Sequence, residues 1–458
     1  MAEEKDSIPI PMATAAAVPR STLSPPEIEM QLHVINRQKL VKSLQQHLAD
    51  SARPIQGIGG EEQNRYCTDH TELFRQESYF AYLFGVREPS FYGAVDVATG
   101  KSILFAPRLP AEYAVWLGKI KPLSHFTERY KVDMVCYVDM MEEVLHSLYK
   151  GEDKSLLFLL HGLNTDSGNF SKPADFEGIE NFKTDLSTLH PILTECRVLK
   201  SKMELDIIQY ANDISSEAHV ETFMDGDMAL LDMGAEYHFY GSDITCSFPV
   251  NGKFTVDQCL IYNAVLDAHN SVIAAMKPGV NWVNMHKLAE KVILEALKKG
   301  NIITGDIQDM MAQRLGAVFM PHGLGHLLGI DTHDPGGYPK GLERPKEPGL
   351  SSLRTARELK EHMVITVEPG CYFISALLIP AMESSETSRF FSADAIRRFM
   401  DFGGVRIESD VYVTSTGCKN MTNVPRETWE IEAVMAGAKW PIEKGLDHSQ
   451  NGIGKFHS

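Results

Sequence analysis

Four carboxylates in this chain sit within strand-like apolar runs: Asp232 in ALLDMG, Asp243 in YGSDITCSF, Glu368 in VITVEPG and Glu408 in GVRIESD. Between them PHGLGHLLGIDTHD contributes His322, His326 and His333. An isolated buried carboxylate costs several kcal/mol or takes up a proton. Repeating that cost four times makes physical sense when positive charge sits among the acids, and divalent cations supply it. The expected ligands are Asp232, Asp243, His326, Glu368 and Glu408. Four carboxylates and one imidazole form a hard, oxygen-rich donor set that suits Mn²⁺ or Co²⁺ better than a structural Zn²⁺ held by thiolates. Five side chains serve two ions only if carboxylates bridge them, which sets the ions about 3.5–4 Å apart. Hydrolysis is the chemistry such a pair performs.

The local patterns place these groups. Three glycines in HGLGHLLG argue against a helix. If the segment is extended, alternation puts His322, Leu324 and His326 on one face and Gly323 and Gly325 on the other, where another backbone or a ligand can approach. There is no H-E-x-x-H sequence, which excludes a zincin helix. In GVRIESD the same alternation groups Arg406, Glu408 and Asp410, with Val405 and Ile407 opposite. Asp232 and Asp243 are close enough in sequence to meet across adjacent strands, and Glu368 stands at the exit of a buried strand. Taken singly, His322 and His326 each read as a hydrogen-bonded core residue, and the aspartate pair reads equally well as ligands or as turn residues. His333, beside Asp334, reads equally well as a hydrogen-bonded loop residue.

The elements that must position these groups follow from length and periodicity. At 458 residues, two domains are the expectation. Hydrophobic residues make up 43% and charged residues 23%, ordinary globular values. A net charge of −17 argues against nucleic acid and anionic membrane as partners. Seven scattered cysteines without a C-x-x-C pair suit a reducing, cytoplasmic compartment. No apolar run approaches the roughly 20 residues needed to span a bilayer. The acidic opening MAEEKDS does not fit a signal peptide.

Residues 1–26 read as a disordered leader and 27–185 as a mixed α/β domain. That domain opens with a helix carrying Leu32, Ile35, Leu40, Leu44 and Leu48. YFAYLFGV, SFYGAVDVATGKSILFAP and MVCYV read as strands, with a hairpin at ATGK, and helices are expected around 111–118 and 139–149. The second domain, 193–435, starts with the Ser201–Glu204 capping box and a stripe of Met203, Ile207, Ala211 and Ile214. A second box, Thr255 to Gln258, opens a long helix that Pro278 stops, and a further helix covers about 284–299. The remainder reads as strand-rich, followed by a flexible tail, 436–458.

The order Asp, Asp, His, Glu, Glu resembles the pita-bread metallopeptidases: methionine aminopeptidase, aminopeptidase P and prolidase (Xaa-Pro dipeptidase). NRYCTDHTELFRQESYFAYLFGV, DITCSFPVNGKFT, GAVFMPHGLGHLLGIDTHDPGGYP, PGLSSLRTARELK and FGGVRIESDVYVT are most similar to the prolidases. The resemblance implies an α/β (α+β) chain with a pita-bread catalytic domain. It implies a homodimer, two Mn²⁺ ions (Co²⁺ or Zn²⁺ as alternatives) and cleavage of dipeptides with C-terminal proline. Glu368 would be both metal ligand and proton carrier. His322 and His333 would contact the substrate or its tetrahedral intermediate, and Arg354 would hold the prolyl carboxylate. Release of N-terminal residues from longer peptides, as by aminopeptidase P, is the alternative, and a catalytically silent binding protein is a further one. The family also places a helix, strands and another substrate histidine between ISSEAH, ending at His219, and the strand of Asp232. This chain has only VETFM between ISSEAH and DGDMALLDMG, which spans at most about 18 Å, so the catalytic domain is expected to be shortened near 219–226.

Overall fold

The computed structural model describes residues 23–47, 54–68, 70–114, 119–148, 156–221 and 228–442. Most of the expected leader and the end of the tail lie outside these.

The amino-terminal domain begins with helix α1 (Gln31–His47), which buries Leu32, Leu40 and Leu44 together with His33, Asn36 and Arg37. Ile35 is only half-buried, and Leu48 lies outside the described residues. After strand β1 (Pro54–Ile58) comes helix α2 (Ser78–Phe84). The run YFAYLFGV is therefore helical and not a strand. An unbroken apolar run carries no periodicity to separate a buried helix from a buried strand. Its ends decide: Glu77 accepts the Phe80 amide, and Gly85 closes the helix at φ 64°. Strands β2 (Tyr92–Asp96) and β3 (Ser102–Ala106) form the expected hairpin, with Val95 opposite Ser102. Helix α3 (Leu123–Tyr130), β4 (Met134–Tyr137), α4 (Met141–Ser147), β5 (Leu156–Leu159) and β6 (Lys183–Asp185) complete the domain. Its six strands form one mixed sheet in the order β4-β3-β2-β1-β5-β6. The helix expected at 111–118 is a short 3-10 turn at Ala111–Tyr113, residues 115–118 being outside those described.

Helix α5 (Leu189–Val198) leads to α6 (Lys202–Glu221). The Ser201–Glu204 box is closed, with the Ser201 amide 2.6 Å from Glu204 Oε2 and the Glu204 amide 3.4 Å from Ser201 Oγ. The buried face of α6 is Ile207, Ile208, Ala211, Asn212, Ser215 and His219, while Met203 and Ile214 are only partly covered. Strands β7 (Met228–Met233), β8 (Glu236–Tyr237), β9 (Tyr240–Gly241) and β10 (Ile244–Pro249) follow. Helix α7 (Val256–Ala275) carries the Thr255–Gln258 capping box, and α8 (Trp282–Lys299), capped by Asn281, starts slightly before the expected residue 284. Strands β11 (Val364–Val367), β12 (Gly370–Tyr372), β13 (Gly404–Arg406), β14 (Ser409–Val413) and β15 (Cys418–Asn420) build three small sheets with β7 and β10: β10-β7, β11-β14-β15 and β12-β13. This half is less strand-rich than its sequence suggests, because Ile307–Ala312, Ser375–Glu383 and Ala393–Phe399 are helical. Trp282, Phe319, Ile365 and Val411 lie in the core behind these sheets. All seven cysteines are free thiols. Among the described residues no helix is long and apolar enough to cross a membrane.

The β8–β9 hairpin joins the two domains. At its tip His238 and Phe239 adopt positive φ. Tyr237 donates to the Pro26 carbonyl at 3.1 Å, so the end of the expected leader is docked. His238 accepts from Arg87 at Nδ1 (2.9 Å), faces His33 Nε2 across 3.0 Å, and His33 Nδ1 lies 3.0 Å from the Tyr82 carbonyl. With both rings neutral, each nitrogen finds a donor or an acceptor. Protonating either ring sets two N–H groups against each other. Burial accordingly lowers His33 to about 4 and His238 to about 3. Both folded values lie below the unfolded value near 6.5, so their contribution is complete above that pH and is lost as pH falls towards 4. A His33→Gln/His238→Gln variant should lose less Tm than the parent between pH 7 and pH 4.5, measured by thermal denaturation.

Candidate metal centre

The two aspartates are brought together by strand pairing. In the β7–β10 register Asp232 faces Thr245 and Met233 faces Ile244, leaving Asp243 one step before β10 on the same side as Asp232. The strand expected at 404–410 divides into β13 and β14 at Ile407–Glu408, yet its polar residues share a side as alternation requires. Arg406 reaches Asp232 at 2.6 Å and Thr245 Oγ1 at 3.1 Å; Glu408 accepts from Thr245 Oγ1 at 2.6 Å; Asp410 accepts the Asp243 amide at 2.9 Å.

The histidine segment runs beside β11, with the Thr366 amide bonded to His326 O and the Glu368 amide to Leu324 O. The expectation for Leu324 fails. It is wholly buried in the core, while His322, Gly323, Gly325 and His326 line the cavity. The segment is too irregular for strict alternation, because its glycines turn their backbone toward the cavity. A Cβ on Gly325 would collide with the Thr366 carbonyl, so this close approach requires glycine.

All five expected ligands lie on one cavity of about 440 Å³, which His322, His333, Arg354 and Arg406 also line. That is room for a small ligand. Ligand atoms of Asp232, Asp243 and Glu408 lie within 4.8 Å of one another, as do those of His326, Glu368 and Glu408. Asp243, His326 and His333 form a third such group, so His333 is near enough to be a further donor. His326 Nε2 is 3.3 Å from Asp243 and 3.8 Å from Glu368, and its ring stands perpendicular to His333.

Electrostatics fit a cation here. Burial pushes Glu368 up to about 7 and Asp410 up to about 8, and raises Glu408 well above the carboxylate range. Burial and the neighbouring Asp243 raise Asp232. Burial works to raise Asp243 as well, but it alone of these acids is lowered, by His326 together with Asp232 and His333. Asp410 Oδ1 is buried without a hydrogen-bond partner. Clustered acids driven toward their protonated forms are what a divalent cation would reverse, and the donors present suit one.

Two groups were less legible. Tyr372 Oη lies 2.8 Å from His322 Nε2 and accepts from Arg406 at 3.2 Å, and nothing around PGCYF marks it beforehand. Arg406 was grouped with Glu408 by alternation, but its partner is Asp232. The loop carrying His333 is held from outside the catalytic core. Arg197 of α5 bonds Asp331 at 2.8 Å and Asp334 at 2.6 Å, Lys200 bonds Asp334 at 2.9 Å, and Ser78 bonds Asp331 at 2.6 Å. Arg197, Lys200 and Asp334 are buried.

Residues 206–415 match the family described as Metallopeptidase family M24, and 33–158 match the aminopeptidase P N-terminal domain. A human protein named Xaa-Pro dipeptidase is 47% identical, with 90% of this chain and 94% of the relative covered. The chain belongs to metallopeptidase family M24. A Pyrenophora tritici-repentis protein named probable Xaa-Pro aminopeptidase is 31% identical over 78% of this chain and 86% of its own. Among solved M24-like structures, a zinc-substituted Escherichia coli aminopeptidase P in complex with product superposes with a TM-score of 0.68 at 26% identity, covering 90% of this chain and 99% of the other. The pita-bread architecture expected from the sequence is thereby established. The human alignment extends over 469 positions, more than the 458 residues of this M24 chain, so that relative carries residues this chain lacks.

Removing the Arg197 guanidinium would leave buried Asp334 with Lys200 as its remaining cationic partner, beside the Asp331 amide. Breaking a buried ion pair from one side costs about 3–5 kcal/mol. Arg197→Met should therefore lower the stability of the protein by roughly that amount in urea denaturation.

Proposed function

We propose that the protein is a Xaa-Pro dipeptidase that works with two divalent ions, Mn²⁺ in the first instance, as a cytoplasmic homodimer. The observation that carries this reading is the convergence of Asp232, Asp243, His326, Glu368 and Glu408 on one cavity with Arg354 on its wall. Greater similarity to proteins named dipeptidase than to those named aminopeptidase favours a two-residue substrate.

Asp232, Asp243, His326, Glu368 and Glu408 would hold the ions, whose positive charge activates water and polarises the scissile carbonyl. Glu368 would take the proton of the attacking water and pass it to the leaving prolyl nitrogen. His322 is kept neutral by burial, at about 4, with its ring nitrogens engaged by the Gly323 carbonyl and Tyr372 Oη, and would meet the substrate from the cavity wall. His333, also lowered to about 4 by burial and by His326, approaches the same region from the loop. Arg354 offers the paired N–H groups that grip a free carboxylate.

We infer further that turnover is impaired. Helix α6 ends at Glu221 and β7 begins at Met228, and among the described residues β7 pairs with β10 alone. Asp232 has 44% of its side chain exposed, against 15% for Asp243 and 3% for His326. A wall that covers the Asp232 side and contributes to substrate binding is thus the feature the shortened segment would remove.

Two measurements test these readings. Metal content by elemental analysis should give about two Mn²⁺ per chain, and Asp243→Asn should reduce it. Gly-Pro hydrolysis should fall at least tenfold below that of an M24 dipeptidase with the longer segment. Equal activity would refute the impairment, and a chain that binds no divalent ion would refute the enzyme reading.

A further inference from the structure

Asp166 belongs to the amino-terminal domain, lies outside the catalytic cavity, and yet faces two arginines of the catalytic domain, one of which, Arg354, lines that cavity. It sits in a short loop closed by the Leu163–Phe170 bridge and by Asn164 N to Asn169 O at 2.8 Å. The Asn164 side chain accepts the amides of Asp166 and Ser167 at 2.9 and 3.0 Å, so the loop is stiffened from within. Its tip meets the segment that follows the histidine loop. Asp166 Oδ1 accepts from Arg344 at 2.6 Å, and Oδ2 lies 3.9 Å from Arg354 Nη1. Arg344 also bonds the Leu353 carbonyl, the residue just before Arg354, and stacks on the Tyr338 ring at 4.4 Å. Asp166 is only 16% exposed, whereas Arg354 is 38% exposed and lines the cavity.

We propose that Asp166 is a positioning residue for recognition of the substrate's free carboxylate. Through Arg344 and the Leu353 carbonyl it fixes the backbone that carries Arg354, and its own charge holds that guanidinium at the cavity wall. The amino-terminal domain thereby takes part in selecting a C-terminal carboxylate. This rests on the reading of Arg354 as the carboxylate-binding group. An ordinary ion pair between domains would affect stability alone. A positioning residue affects the difference between a ligand with a carboxylate and one without.

The test is calorimetric titration of the full-length, Mn²⁺-loaded protein with L-proline and L-prolinamide, which needs no turnover. If the parent protein binds both equally, the carboxylate reading itself fails, whatever Asp166 does. If the parent prefers proline, Asp166→Asn should weaken proline binding about tenfold, the scale of one charge-assisted hydrogen bond, and leave prolinamide unchanged. Arg344→Gln should reproduce the loss, and it carries the test should the Asp166 variant not fold. Proline affinity that is unchanged or tightened, or an equal loss for both ligands, would overturn the proposal.

Discussion

The mutual repulsion of Asp232, Asp243, Glu368 and Glu408, gathered around the buried His326 imidazole, is the constraint that the catalytic domain is arranged to tolerate. Each acid is held by a neutral or cationic neighbour from a different element: Arg406 for Asp232, the Asp243 amide for Asp410, Thr245 for Glu408, and His326 for Asp243 and Glu368. These contacts orient the carboxylates without neutralising them. Burial therefore still drives Glu368, Glu408 and Asp410 toward protonation. An arrangement that holds acids in place yet leaves their charge unbalanced is suited to a cation and poorly suited to any purely structural role.

Fixing the acids requires fixing their backbones, and the strand pairings do that. Asp232 and Asp243 are set by the β7–β10 register, Glu368 by the end of β11, and Glu408 by the break between β13 and β14. His333 has no such strand. Its loop is held by Arg197, Lys200 and Ser78, all outside the catalytic sheets, through the buried Asp334 and the neighbouring Asp331. The amino-terminal domain and its connection thus do more than attach to the catalytic domain: they determine where one wall of the cavity stands.

The convergence of the five candidate donors was legible because acids in apolar strands violate the pattern of their surroundings, and each violation is visible one residue at a time. The capping boxes at Ser201 and Thr255 were legible because their chemistry is local. The helix at Ser78–Phe84 was not, since an apolar run looks alike in either conformation and only its ends differ. Leu324 was misplaced because alternation assumes a regular pleat that the glycines on either side abolish. Tyr372, Arg344 and Asp166 were out of reach for another reason: their roles come from partners between 9 and 178 residues away in the chain, and no spacing announces such a contact.

The five donors are not equally supported. Asp243, His326, Glu368 and Glu408 are each backed by packed strands or by the core, and Glu408 is almost wholly buried. Asp232 is different: it is exposed and sits on a strand that, among the described residues, has one partner. Its remaining anchor is Arg406, a cation that competes with any metal for the same carboxylate. A strand paired on one side has unsatisfied backbone groups on its other edge and follows its neighbours less rigidly. Among the five donors, Asp232 is thus the one whose position rests on the least surrounding structure. The chemistry of the donors and the firmness of their positions are separable properties: Asp232 shares the first with Asp243 and not the second.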